Sequence, residues 1–172
     1  GVLLLGWEMQ RYATSGTEYT SIPLLSTGDN TATVSLREDM SPVRMILSVE
    51  YEMHIDQGAN SAYDYRVELM NTAKESLVLS DQIHVVQHAD QGSAFETNTQ
   101  NHIIGTFTVP ANAAYEIQWQ LDPKKAVVSR ASLKFRQQVS PLNIYILIGA
   151  GLCFVFGGFI LFSGRKKYTR DL

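Results

Sequence analysis

The chain has 172 residues, is 45% hydrophobic and 18% charged, and carries 14 Lys+Arg against 17 Asp+Glu for a net charge of -3. That length holds one domain of about 100–150 residues plus an appendage, and it excludes two full catalytic domains. A mean hydropathy of -0.07 suggests a small soluble globule, but the average conceals a segregation: Ile144 to Phe162 has no charged side chain, whereas before it charged and polar residues recur every few positions.

The amino-terminal run Gly1-Val2-Leu3-Leu4-Leu5-Gly6-Trp7 is apolar and ends in an aromatic. As a helix it reaches only about 10 Å, too short to cross a bilayer by itself. Residues 1–7 therefore read as the end of an N-terminal transmembrane helix with Trp7 at the interface, or as a signal anchor. A signal-peptide remnant is the alternative, with Ala13-Thr14-Ser15 as the small-residue site. The first case makes a hairpin of two helices, the second a single C-terminal anchor.

From residue 8 to 140 the dominant period is two. Val49 to Ile55, Tyr63 to Leu69 and Tyr115 to Asp122 alternate strictly between apolar and polar, the pattern of strands with one buried face. Further strands are expected at Thr31–Leu36, Leu77–Val86, Ile103–Val109 and Val127–Phe135, divided by turn residues such as Asp56-Gln57-Gly58-Ala59-Asn60 and Asp122-Pro123-Lys124. Seven or eight short strands without helical period predict a mainly β domain, an antiparallel β-sandwich of Ig-like or jelly-roll-like topology. Tight turn signals predict sequential pairing from Val43 to Val86. The domain has no cysteine, which excludes a disulfide-stapled immunoglobulin module. Neither is there an Asn-x-Ser/Thr acceptor, and together these absences point to a periplasmic domain on a bacterial inner membrane.

Gln87 to Gln100 is polar and without period, so it reads as the longest loop. Loops often carry function, and here Phe95 would anchor a ligand with His88 and Asp90 beside it. The simpler reading is a hairpin connection. A metal centre would draw on His84, His88 and His102, with copper as the metal to consider. A strand, however, would separate His84 from His88 by about 13 Å, and the domain offers no thiolate. Histidines on a polar face or loop are the simpler account, and no cofactor is expected.

Leu142 to Phe162, within a span of 141–164, is long enough to cross about 30 Å of hydrocarbon at about 1.5 Å per residue. Arg165, Lys166, Lys167 and Arg170 follow it, which places the tail 165–172 in the cytoplasm and the β domain outside. The tail is then +3 and the rest of the chain -6. An acidic exterior argues against nucleic acid as a partner. Gly149, Cys153 and Gly157 lie at successive i+4 steps, a row of small residues that admits a second helix.

Gly-x-Ser-x-Gly, Ser-x-x-Lys, His-Glu-x-x-His and Gly-rich phosphate loops are absent from the sequence. The Glu50 and Glu52 pair, about 7 Å apart on one strand face, is explained by solvated alternation. The sequence thus predicts a non-catalytic, membrane-anchored accessory or scaffold subunit. Its partners would be the lipid bilayer and an integral membrane protein or a second copy. A periplasmic ligand-binding or sensing module is the alternative, and a copper-handling protein a more distant one.

Overall fold

The computed structural model describes residues 2–24, 30–88, 94–141 and 143–155. They form two compact units, one of residues 16–139 and one built from the two flanks, 1–15 and 140–172.

The central unit contains eight strands: β1 (Thr17–Pro23), β2 (Thr31–Leu36), β3 (Val43–Ile55), β4 (Gly58–Met70), β5 (Ser76–His88), β6 (Ala94–Phe107), β7 (Ala113–Pro123) and β8 (Val127–Gln137). They pair antiparallel into two four-stranded sheets, β1-β8-β3-β6 and β2-β7-β4-β5. This order of eight strands in two sheets is that of a jelly roll. The β-sandwich expected from the alternation is present, and the strand order separates the two topologies that the sequence left open.

Alternation builds the core directly. Every second residue of β3 points inward, and Val43, Met45, Leu47, Val49, Tyr51, Met53 and Ile55 are all at most 2% exposed. Opposite them, Tyr63, Tyr65, Val67 and Leu69 of β4 and Tyr115, Ile117 and Trp119 of β7 close the second sheet, while Ala131, Leu133 and Phe135 of β8 complete the first. Burying about ten aliphatic and aromatic side chains per sheet, at about 1.5–3 kcal/mol each, is the main force holding the layers together.

The predicted pairing of the strand at Val43 with the one that follows it does not occur. β4 does pair with β5, but β3 lies between β8 and β6 while β4 sits in the other sheet. The turn at Asp56–Gly58 is a corner between layers. Buried Asn60 ties it, donating to the carbonyls of Asp56 at 2.7 Å and Gly58 at 3.1 Å, and Gly58 takes φ +93°. A turn signal marks where the chain reverses but not whether it reverses within a sheet or across the sandwich.

Gln87 to Gln100 also departs from the reading as one loop. β5 runs through His88 and β6 starts at Ala94, so most of this segment is strand. Residues of β6 are polar on both faces, Glu96, Asn98 and Gln100 beside the core and Thr97, Thr99 and Asn101 outside, and hydrophobic period therefore carries no signal there. What fixes β6 as a strand is its thirteen-residue register against β3, from Val43↔Phe107 to Ile55↔Ala94.

β5 and β6, the edge strands of opposite sheets, approach closely at one end. A Cβ on Gly105 would lie 2.6 Å from Val78 Cγ1, a stiff β-branched group. Gly105→Ala is expected to destabilise the domain by about 1–3 kcal/mol, with Val78→Ala restoring part of the loss. Urea melts of the two single variants and the double variant measure that coupling.

The flanking unit contains α1 (Val2–Thr14) and α2 (residues 144–155). Asn143 caps α2, its Oδ1 accepting from the amides of Tyr145 at 3.0 Å and Ile146 at 3.4 Å. Glu8 of α1, fully buried, accepts the Asn143 amide at 2.7 Å and pairs with Arg11 at 2.6 Å, while Arg11 donates to the Pro141 carbonyl at 2.9 Å. Arg11, then the Asn143 amide, hold the Glu8 carboxyl down at about 2. Glu8→Gln should accelerate amide exchange at residues 143–147, read by hydrogen–deuterium exchange, and leave exchange in β3 and β8 unchanged. Among the described residues no helix is long and apolar enough to cross a membrane. α2 covers twelve residues of the uncharged run, and the remainder of the expected span with its basic tail lies outside the described residues.

Candidate functional site

The interior of the sandwich changes character toward β5 and β6. Cross-strand partners share a face, so Tyr63↔His84, Tyr65↔Gln82 and Val67↔Ser80 place His84, Gln82 and Ser80 of β5 on the inner side. Leu47↔His102, Val49↔Gln100, Tyr51↔Asn98 and Met53↔Glu96 do the same for β6. A hydrophobic core thus ends in a polar seam between the two edge strands.

At its centre stand Tyr51, Tyr63, Tyr65, His84 and His102, drawn from four strands of both sheets. The His84 and His102 rings meet edge-on at 5.1 Å. Tyr63 packs against His84 at 5.0 Å and against Tyr51 at 5.5 Å, and Tyr65 lies 4.8 Å from His102. The phenol of Tyr63 shares a 2.7 Å hydrogen bond with His102 Nε2, that of Tyr51 a 3.2 Å bond with His84 Nε2, and Tyr65 donates to Gln82 Oε1 at 3.1 Å. Burial, with His84 adding a smaller effect, pushes His102 down to about 4, and burial lowers His84 too. Both imidazoles are neutral at pH 7. Burial also raises the three phenols, Tyr63 most of all, so they stay protonated.

Of the histidines considered as ligands, the fold brings His84 and His102 together. His88 ends β5, and its side chain lies outside the described residues. Among the described residues no group of three or more His, Cys, Asp or Glu could hold a metal, and a four-coordinate site needs at least three protein ligands. Each Nε2 here already has a tyrosine hydroxyl. The arrangement is a polar cluster of tyrosines and histidines, and the alternation of β3 and β4 does not distinguish its tyrosines from ordinary core residues of a strand.

Phe95 stands on the outer face of β6 and is 68% exposed, while Asp90 lies outside the described residues. On α2, Gly149 has nothing within 4 Å of an added Cβ and Cys153 is exposed, while Gly157 lies outside the described residues. The small residue that packs within the flanking unit is Ala150, 1% exposed, with Ile146 and Leu147 half-buried beside it. The Gly149 and Cys153 side therefore faces no other described segment. Both helices present large apolar side chains outward, among them Leu3 (88%), Trp7 (56%), Ile144 (59%) and Val155 (68%).

No family model matches the sequence, and no curated protein does. Among solved structures the chain is similar to dimeric latent PorU from Porphyromonas gingivalis, at 10% identity over 73% of this chain with a TM-score of 0.29. It is also similar to structures of infectious bursal disease virus, the Gx strain (7% identity over 72% of the chain, TM-score 0.22) and the Gt strain (10% over 91%, TM-score 0.22). The chain spans 11%, 28% and 53% of those three chains. Likeness at this level carries no argument about function.

Proposed function

We propose that this protein is a non-catalytic, membrane-anchored accessory or scaffold subunit, with the jelly roll on the periplasmic side of a bacterial inner membrane and the basic tail in the cytoplasm. The observation that carries this reading is the apolar surface of the two flanking helices, on which Leu3, Leu4, Trp7, Ile144, Ile148 and Val155 are uncovered. Exposed apolar rows of this kind mark surfaces that a lipid phase or a partner covers. The uncharged run continues to Phe162, and Arg165, Lys166, Lys167 and Arg170 follow it.

The tie between Glu8, Arg11 and Asn143 favours a hairpin of two helices over a lone C-terminal anchor. Small residues on the uncovered side of α2 suit close approach by a neighbouring membrane helix, or by the same helix of a second copy. Gly149→Leu with Gly157→Leu should release the full-length protein from its partner in mild detergent while leaving it in the membrane fraction after carbonate extraction. Co-purification that is unchanged by both substitutions overturns the packing role, and full release by carbonate overturns the anchor.

A further inference from the structure

Ion pairing is distributed unevenly over the jelly roll. On and around the β2-β7-β4-β5 sheet each basic side chain has a carboxylate: Arg66 with Asp81 and Glu68, Lys74 with Glu116, Lys124 with Asp64 and Asp122, Lys125 with Asp56. On the outer face of the other sheet, β8 presents Arg130 and Lys134, and among the described residues neither has an ion pair. The carboxylate of Glu50 also lacks one, although β3 places Glu50 directly across from Arg130.

These three side chains border a concavity of about 440 Å³ that crosses all four strands of the sheet. Its floor is low because Ser48 and Ser132, a cross-strand pair, carry only hydroxyls, and Thr99 adds a third across from Glu50. The volume lies in the range of small-molecule sites. Arg130 offers a planar, multiply donating guanidinium and Lys134 a compact charge, both suited to a carboxylate or sulfate. Glu50 repels a bare anion and needs a hydrogen-bond donor, and the hydroxyls both donate and accept. No aromatic face borders the groove, so bases and aromatic rings find no stacking platform.

We propose that this groove binds a short acidic saccharide, its carboxylate or sulfate held by Arg130 and Lys134 and its ring hydroxyls by Glu50, Ser48, Ser132 and Thr99. A neutral sugar leaves both cations unanswered, and a simple anion leaves Glu50 opposed. The acidic saccharide supplies both complements at once. The proposal is independent of how the flanking helices meet the membrane.

Titration calorimetry of the detergent-solubilised full chain tests it, with trigalacturonate and a heparin-derived tetrasaccharide as carboxylated and sulfated probes. Maltotriose and sodium sulfate are the controls. At least one acidic oligosaccharide should bind at submillimolar concentration and more weakly as salt rises, and both controls should bind at least tenfold more weakly. Arg130→Gln and Lys134→Gln, surface changes that preserve the melting temperature, should each weaken binding about tenfold, and Glu50→Ala should weaken it severalfold. The proposal is overturned if neither acidic probe binds the wild type, if sulfate or maltotriose binds as tightly, or if both the Arg130 and Lys134 variants retain full affinity.

Discussion

Tyr63→Ala should destabilise the jelly roll by about 3–5 kcal/mol, the range for removing a large buried aromatic. Tyr63 is fully buried, makes edge contact with Tyr51 and packs on His84. Its loss opens a cavity where β3, β4, β5 and β6 converge. Tyr63→Phe separates the two contributions of the side chain. It keeps the ring and removes the hydroxyl bonded to His102 Nε2, leaving a half-buried ring nitrogen unpaired for about 1–3 kcal/mol. Urea denaturation followed by far-ultraviolet dichroism orders the three proteins. A Tyr63→Phe variant as stable as wild type would mean that the hydroxyl contact with His102 contributes nothing.

Acidification should weaken the domain over a defined window. In the unfolded chain His102 titrates near 6.5, and in the folded one burial and the neighbouring His84 push it down to about 4. Between those values the unfolded state binds a proton that the folded state does not, so the stability contributed by the neutral His102 falls as pH drops from about 6.5 to about 4, and this contribution levels off below. His84, lowered in the same direction, adds to the slope. Among the described residues the other titratable groups that face the pair are Tyr51, Tyr63 and Tyr65, all neutral here, with the acidic Glu96 near Tyr51. At about 1.4 kcal/mol per pH unit, and discounting for solvent screening at a half-buried site, the loss attributable to His102 is about 1–3 kcal/mol. Melting temperatures from pH 7.5 to 4.5 should drop more steeply for wild type than for His102→Gln. Parallel profiles would remove His102 as the source.

The parts of this fold legible in the sequence are those where one face is apolar and the other is not. β3, β4, β7 and β8 announce themselves through Val49 to Ile55, Tyr63 to Leu69, Tyr115 to Leu121 and Ala131 to Phe135, and the sandwich follows from their number. The first half of β6 was illegible because Glu96, Asn98 and Gln100 are polar toward the core, where the period expects apolar residues. That same polarity forms the seam around His84 and His102. The site escaped detection for the reason its strand did: residues placed for hydrogen bonding between sheets look like loop when only hydrophobicity is counted. Whether the corner after Ile55 stays in one sheet or changes sheets was not legible either, since Gly58 and Asn60 serve both geometries. The groove on the β1-β8-β3-β6 face was invisible for a different reason. Arg130, Lys134 and Glu50 read as ordinary solvated alternation, and only the register reveals that opposite charges face one another without pairing.

Strand order also sets a timetable for synthesis. Among the described residues β1 has β8 as its sole ladder partner and β2 has β7, so the first two strands of the jelly roll must wait for its last two. Thr17 meets Gln137 only after 120 further residues, a delay of roughly 6–24 s at about 5–20 residues per second. Closure of so long a loop also makes folding slow relative to a helical domain of the same size. The waiting strands are suited to it: Thr17–Pro23 and Thr31–Leu36 are short, rich in Thr and Ser, and the first ends in Pro, features that discourage edge-to-edge association with other nascent chains.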